Sequence, residues 1–296
     1  MDYDVVIIGG GPAGLAAALT LGRSLRTTIL FDGGAPRNAP ADAMHNVLGR
    51  DGTPPAQLRE DARRELAAYP TVELRDAAVA SVAAGFTVTL ASGEAATARR
   101  LLLATGVVDE LPAIPGFAER WGRTVLHCPY CHGYEQRGKR LAVLGATPHH
   151  AFVATLVRRY GDDVVLLTNG EAPPEIAGLQ TISTPLAALE GAATAVFADG
   201  SRLERDALFA GGPARQHASF AADLGCAFLP DGSVEVDEFG RTSVSGVSAA
   251  GDLAHRASLP GPMAAVSAAT TAGMIAAVAL DQELHAADTG LPSPLG

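Results

Sequence analysis

The chain has 296 residues, 48% hydrophobic and 18% charged, with 33 glycines and 19 prolines, a balance that fits roughly two turn-rich globular domains and excludes a disordered chain. Its formal charge of −10 argues against a broad phosphate-binding face, so nucleic acid is not an expected partner. Three cysteines are too few for a secreted disulfide scaffold, and two of them form a C-x-x-C, which points to the cytoplasm and to redox or metal chemistry.

The start, Met1-Asp2-Tyr3-Asp4, lacks a basic n-region, so no leader peptide is expected. Val5-Val6-Ile7-Ile8 is a continuous apolar run, predicting a strand buried on both faces of a parallel sheet. A glycine turn and an Ala-rich helix over Gly14 to Leu25 follow, and Thr28-Ile29-Leu30-Phe31 predicts a second strand ending at Asp32. Val72 to Leu90 alternates in the manner of antiparallel strands, and Arg100 to Leu103 predicts a strand ending in Ala104-Thr105-Gly106. Pro112, Pro115 and Gly116 supply a linker. A second βαβ unit then begins at Leu141 to Leu144, turns at Gly145, runs helical over Phe152 to Tyr160 and returns as Val164 to Leu167. Ala195 to Phe209 reads as hairpin and strand, and Gly246 to Asp252 as a short strand ending in Ala250-Gly251-Asp252. The last apolar stretch, Ala264 to Leu280, is broken by Ser267, Thr270, Thr271 and Gly273 and falls short of the ~20 residues of a membrane span. A buried helix is expected there, and no membrane partner.

The first turn reads Gly9-x-Gly11-Pro12-Ala13-Gly14. Its first glycine makes the tight turn, the second admits a pyrophosphate to the backbone, and the third lets helix and strand pack closely, with the phosphates on free N–H groups at the helix start. Asp32 stands where a carboxylate accepts hydrogen bonds from a ribose diol and repels a 2′-phosphate. A dinucleotide is therefore expected, FAD or NAD.

Cys128-Pro129-Tyr130-Cys131 precedes the second unit, within His127-Cys128-Pro129-Tyr130-Cys131-His132-Gly133-Tyr134-Glu135. Two thiols at this spacing close a small disulfide ring and lower the pKa of one of them, so that it attacks as thiolate. His132 is the candidate acid/base, since an imidazole exchanges protons near neutrality. A competing reading joins Cys128 and Cys131 to His149 and His150 as zinc ligands; the spacing is unusual for zinc and no metal is assigned. Cys226 stands alone in an apolar run and is expected to be a small buried hydrophobe.

These motifs, in this order over nearly the whole chain, resemble the low-molecular-weight thioredoxin reductases, flavoproteins of the two-domain pyridine nucleotide-disulfide oxidoreductase class. The resemblance implies an α/β chain of two Rossmann-like three-layer domains, the second inserted into the first. Residues 1–114 and 238–296 would form the FAD domain, and 115–237 a pyridine-nucleotide-type domain carrying the dithiol. It implies FAD held by the first glycine turn, Asp32, Gly33, Arg37, Asn46, Ala104, Thr105, Gly106, Gly251 and Asp252, with Asn46, next to His45, near the flavin ring and Asp252 on the ribityl-phosphate side. Cys131 would face the flavin while Cys128 exchanges with substrate, and His132 stands where the classical reductases carry an aspartate. The expected partner is a thioredoxin-like protein or a small dithiol or disulfide, and the expected assembly a homodimer.

The second glycine turn departs from the family. It reads Gly145-Ala146-Thr147-Pro148-His149-His150, with Thr147 and His150 where the second and third glycines belong, and Thr168-Asn169-Gly170 follows without an arginine pair. These departures count against NADPH at this turn. No glutamine lies near Pro262-Met263-Ala264-Ala265, where the family signature usually has one. The Cys-x-x-Cys-His-Gly-Tyr-Glu stretch is closer to the dithiol oxidases of gliotoxin and holomycin biosynthesis than to the classical reductases. The activity expected is FAD-dependent dithiol/disulfide exchange. Within it stand a small-molecule dithiol oxidase using oxygen or NADP and a ferredoxin-fed reductase; outside it stand a non-catalytic flavin redox sensor and an NAD-dependent dehydrogenase with structural zinc.

Overall fold

A computed structural model describes residues 2–172 and 176–295. In chain order the elements are β1 (Tyr3–Ile8), α1 (Pro12–Arg23), β2 (Thr28–Asp32), α2 (Pro55–Leu66), β3 (Val72–Asp76), β4 (Val79–Ala83), β5 (Thr87–Leu90), β6 (Ala95–Leu103) and β7 (Val107–Asp109). There follow β8 (Val125–Leu126), α3 (Pro129–His132), β9 (Leu141–Leu144), α4 (Pro148–Val157), β10 (Val164–Leu167), β11 (Gln180–Ile182), the small sheet β12 (Leu186–Glu190), β13 (Thr194–Phe197) and β14 (Arg202–Leu203), and β15 (Ala207–Ala210). The chain closes with β16 (Ala214–Gln216), α5 (Phe220–Asp223), β17 (Val234–Glu235), β18 (Val247–Ala249), β19 (Ala254–His255) and α6 (Val266–Thr289).

The first compact unit comprises residues 1–37, 56–108 and 215–296. Its sheet runs β3-β2-β1-β6-β5-β4, with β18 paired to the carboxyl half of β6. The apolar runs of β1 and β2 are buried because α1 and α6 cover one sheet face and the β4–β5 hairpin layer covers the other. Gly273 of α6 faces α1 so closely that a Cβ there would collide with the Ala13 carbonyl. This contact seats the long helix against the glycine turn. Arg26 pairs with Asp281 at 2.6 Å and Asp288 at 3.0 Å, and Arg99 joins Asp4 and Asp288, fastening the end of α6 to the sheet edge.

The second unit comprises 38–55 and 109–214. Its parallel sheet runs β11-β10-β9-β15-β8, with an apolar core that includes Phe117, Leu144, Val165 and Leu208. The β–α–β crossover β9-α4-β10 is the second unit expected from sequence.

Three expectations are corrected. Val72–Asp76 pairs parallel with β2, and antiparallel pairing is confined to β4, β5 and the start of β6; alternation in an edge strand reports one exposed face and is silent on direction. The chain rejoins the first unit at Arg215 rather than at 238, because Phe220, Ala221, Cys226 and Val234 bury themselves in the core built on β1, β4 and β6. Residues 38–55 cluster with the second unit, not the first. Cys226 is buried, as expected, and burial pushes its thiol pKa up.

Candidate active site

The glycine turn after β1 is built for backbone approach. Gly9 has φ +120° and a Cβ there would strike the Ala104 carbonyl, while one at Gly14 would strike the Gly9 carbonyl. Gly11, in contrast, has open space where its Cβ would stand. Gly11 is also the N-cap of α1, with no side-chain cap, no acidic residue in the first turn, and Pro12 at the first helical position. The remaining first-turn N–H groups are left to an anion, with the helix dipole behind them.

Parallel strands β1, β6 and β18 end side by side, so their three following turns converge on one sheet edge. Ala104-Thr105-Gly106 sits behind Gly9, and Gly251 packs against Ala13. Asp252 forms an ion pair with Arg37 at 2.7 Å, which brings two of the expected cofactor residues together. Asp32 is buried against Gly10; its carboxylate accepts from the Gly34 N–H at 2.8 Å and pairs with Arg59 at 3.3 Å and Arg63 at 3.1 Å. The sequence reading missed these arginines because α2 itself went unrecognised; their i,i+4 spacing after Pro55 was the available signal. The Arg59 Nε is buried without a protein partner, a donor beside the Asp32 carboxylate. Gly33 follows Asp32 with open space at its Cβ position.

In the second unit Cys128 and Cys131 are joined as a disulfide, with Cα atoms 5.2 Å apart. Cys128 is the N-cap of α3 and its Sγ accepts the Cys131 N–H at 3.2 Å. That hydrogen bond favours a thiolate at Cys128 once the disulfide opens. The Tyr160 hydroxyl donates to the Pro129 carbonyl at 3.1 Å, and its ring lies against Gly133. Tyr160, also missed from sequence, thus holds the short helix from below. Gly133 has φ −67°, open to any residue, so its requirement is for space. A Gly133→Ala substitution should cost about 1–3 kcal/mol by urea unfolding and reduce dithiol turnover, because either α3 or Tyr160 must move.

His132 stands at the end of α3 with both ring nitrogens buried and without a hydrogen-bond partner. Burial pushes its pKa below the ordinary imidazole value, His45 and His127 add to that, and Glu135 opposes it. The His45 ring meets that of His132 edge-on, centroids 6.3 Å apart, and its Nδ1 lies 3.4 Å from Asp51 and 3.7 Å from Glu135. Asn46 is exposed with φ +61°, its N–H donating to Asp51 at 2.7 Å. It belongs to the same compact unit as the dithiol, whereas the other expected cofactor residues belong to the first.

The second glycine turn is filled by its own side chains. Thr147 caps α4, its hydroxyl accepting the His150 N–H, and the His150 Nδ1 lies 2.7 Å from the same oxygen. The His150 ring covers Gly145 so closely that a Cβ there would collide with it. Pro148 contributes no N–H. One first-turn donor and the space over Gly145 are taken here by Thr147 and His150, and this counts against a pyridine dinucleotide at this turn. Cys128 and Cys131 are tied to each other, and among the described residues no three His, Cys, Asp or Glu side chains gather as metal ligands. Among those residues, too, no helix is long and apolar enough to cross a membrane.

Comparison with known proteins bears on this geometry. The profile described as pyridine nucleotide-disulphide oxidoreductase matches residues 3–178 and 175–273. The chain is 35% identical to "Thioredoxin reductase tcpT" of Claviceps purpurea, over 95% of both chains. Its structure is similar to that of an oxidoreductase from Agrobacterium tumefaciens, with TM-score 0.89, 35% identity, and 96% of this chain and 99% of that one covered. It is also similar to HlmI, with TM-score 0.88, 37% identity and coverage of 97% and 94%. With a glycine-turn cradle on one unit, a C-x-x-C disulfide on the other and a profile match spanning both, the chain belongs to the pyridine nucleotide-disulphide oxidoreductase family, as an α/β oxidoreductase of the thioredoxin reductase type.

Proposed function

We propose that this enzyme is an FAD-dependent oxidase of small-molecule dithiols, in which electrons leave the substrate through Cys128 and Cys131. The observation that carries this reading is the contrast between the two glycine turns. The first leaves helix N–H groups uncapped and Gly11 open; the second is closed by Thr147 and His150. An enzyme that takes its electrons from a thiol needs no nucleotide donor, and oxygen as acceptor needs no binding domain. The resemblance to the dithiol oxidases of gliotoxin and holomycin biosynthesis supports the same direction.

The residues of the first unit suit FAD. The N–H groups following Gly11 would bind its pyrophosphate, Asp32 its ribose, and the turns at Ala104-Thr105-Gly106 and Gly251-Asp252 its remaining length, with Gly33 and Arg37 completing the set by resemblance; Asn46, which resemblance adds, belongs to the second unit. Bound there, FAD would supply an acceptor for the electron pair of the dithiol and a donor to the terminal acceptor. The chain's own residues supply the exchange. A substrate thiolate attacks the Cys128 sulfur, the S–S bond to Cys131 breaks, and Cys131 leaves as thiolate. The second substrate thiol, its proton taken by His132, then displaces Cys128 and releases the substrate as a disulfide. Two electrons and one proton have then passed from substrate to enzyme, leaving Cys128 and Cys131 as thiolates and His132 protonated, while the proton of the first substrate thiol goes to solvent when that thiol ionises. We further propose, on resemblance, a homodimer in the cytoplasm.

The test is an anaerobic screen of flavin reduction with small dithiols, NADPH, NADH and reduced ferredoxin. Rapid bleaching by a dithiol, and thiol-dependent oxygen uptake in air, are expected. Bleaching by ferredoxin alone would make it a reductase, and the absence of turnover with every donor would make it a sensor.

A further inference from the structure

His132 has two ionisable neighbours close to its ring besides the dithiol's own segment. His45 comes from the 38–55 segment and Glu135 from the 3-10 turn after α3, while His127 lies on the segment leading into Cys128. The two imidazoles that meet edge-on are not equivalent. A proton on His45 has carboxylates at 3.4 and 3.7 Å to face, those of Asp51 and Glu135. A proton on His132 has no acceptor, since both its ring nitrogens are buried and unbonded. Asp51 is in turn fixed by the Asn46 N–H, and that bond, before the His45 contact, holds its carboxyl below the ordinary carboxylate range.

We infer that His45, anchored by Asp51 and Glu135, is a positioning residue that keeps the His132 imidazole neutral and therefore able to accept a thiol proton beside the Cys128–Cys131 pair. Placing a charge at the His45 ring, 6.3 Å from that of His132, disfavours a second charge there by direct repulsion in a partly desolvated setting. His132 serves as a base only while unprotonated, so its activity is lost as pH falls through its pKa. Removing His45 relieves the repulsion, leaves the attraction of Glu135 uncountered, and should carry the point of loss to higher pH. The catalytic consequence rests on the proposed dithiol chemistry; the protonation of His132 does not.

The experiment therefore reads protonation first. Imidazole C2–H resonances of the histidine-labelled holoenzyme, with His132 assigned by its loss in His132→Asn, are titrated in the wild type, in His45→Gln and in Glu135→Gln. In His45→Gln the His132 midpoint should rise by about half a pH unit or more, and the acidic limb of the kcat/KM profile for dithiol oxidation should move up with it. In Glu135→Gln, a change at an exposed position, the midpoint should fall. A midpoint that stays put in both variants, or moves in the same direction in both, overturns the inference. If His45→Gln fails to fold, His45→Lys, which restores a cation at that position, should keep the midpoint at or below the wild-type value, and a rise would count against it. A wild type with the expected midpoints but without dithiol turnover would overturn the proposed function alone.

Discussion

Cys131→Ser is expected to lower dithiol-driven turnover by a thousandfold or more, on the order seen when a covalent catalyst loses its reacting atom, while flavin content and melting temperature stay near wild type. The reason lies in the exchange itself. A serine oxygen cannot form the disulfide with Cys128, so the substrate thiolate finds no S–S bond to attack and no electron pair leaves the substrate. Cys128→Ser should be as damaging, by removing the sulfur that exchanges with substrate and the acceptor of the Cys131 N–H. Neither cysteine belongs to the glycine-turn unit, with Cys128 and Cys131 in the second unit and Gly9 to Gly14 in the first, so cofactor retention serves as the control. Steady-state oxygen uptake with a dithiol, alongside flavin absorbance per chain, measures both. Full turnover in Cys131→Ser would remove the dithiol from the mechanism.

How far this site could be read from sequence depended on the range of the interactions involved. Strands β1, β2, β9 and β10 were legible because burial on both faces demands unbroken apolar runs. The first cradle was legible because Gly9 and Gly14 answer local constraints, a positive φ at the one and close backbone contact at both. Helix α2 was not, since its arginine-rich sequence lacks a clear apolar stripe, and with it went Arg59 and Arg63 beside Asp32. The meeting of His45 with His132 and of Tyr160 with Gly133 joins segments distant in the chain, and no periodicity encodes such a contact. The return to the first unit at Arg215 was hidden for the same reason: the apolar residues at 220–234 show that they want burial, not in which core.

The second glycine turn makes the other large prediction. NADPH at concentrations up to about 1 mM, where binding is worth only ~4 kcal/mol, should leave the wild-type flavin oxidised over the time in which a dithiol bleaches it. The obstacle is specific: the Thr147 hydroxyl takes the N–H that would meet phosphate, and the His150 ring lies over Gly145. Thr147→Gly with His150→Gly restores the glycine pattern, freeing that donor and the space above Gly145. Glycine at the N-cap gives up only a few tenths of a kcal/mol relative to threonine, and glycine in the first turn costs about 1 kcal/mol, so the fold should survive. Calorimetric titration of the double variant with NADP+ and NAD+ should show affinity gained by roughly tenfold or more for both, each tenfold being about 1.4 kcal/mol. The gain should be alike for the two because the Thr168-Asn169-Gly170 turn offers no arginine pair to a 2′-phosphate. Tight NADPH binding by the wild type would show that His150 swings aside, and with it would go the main support for electrons entering from the thiol side. A double variant that folds yet binds neither nucleotide would place the block elsewhere in the second unit.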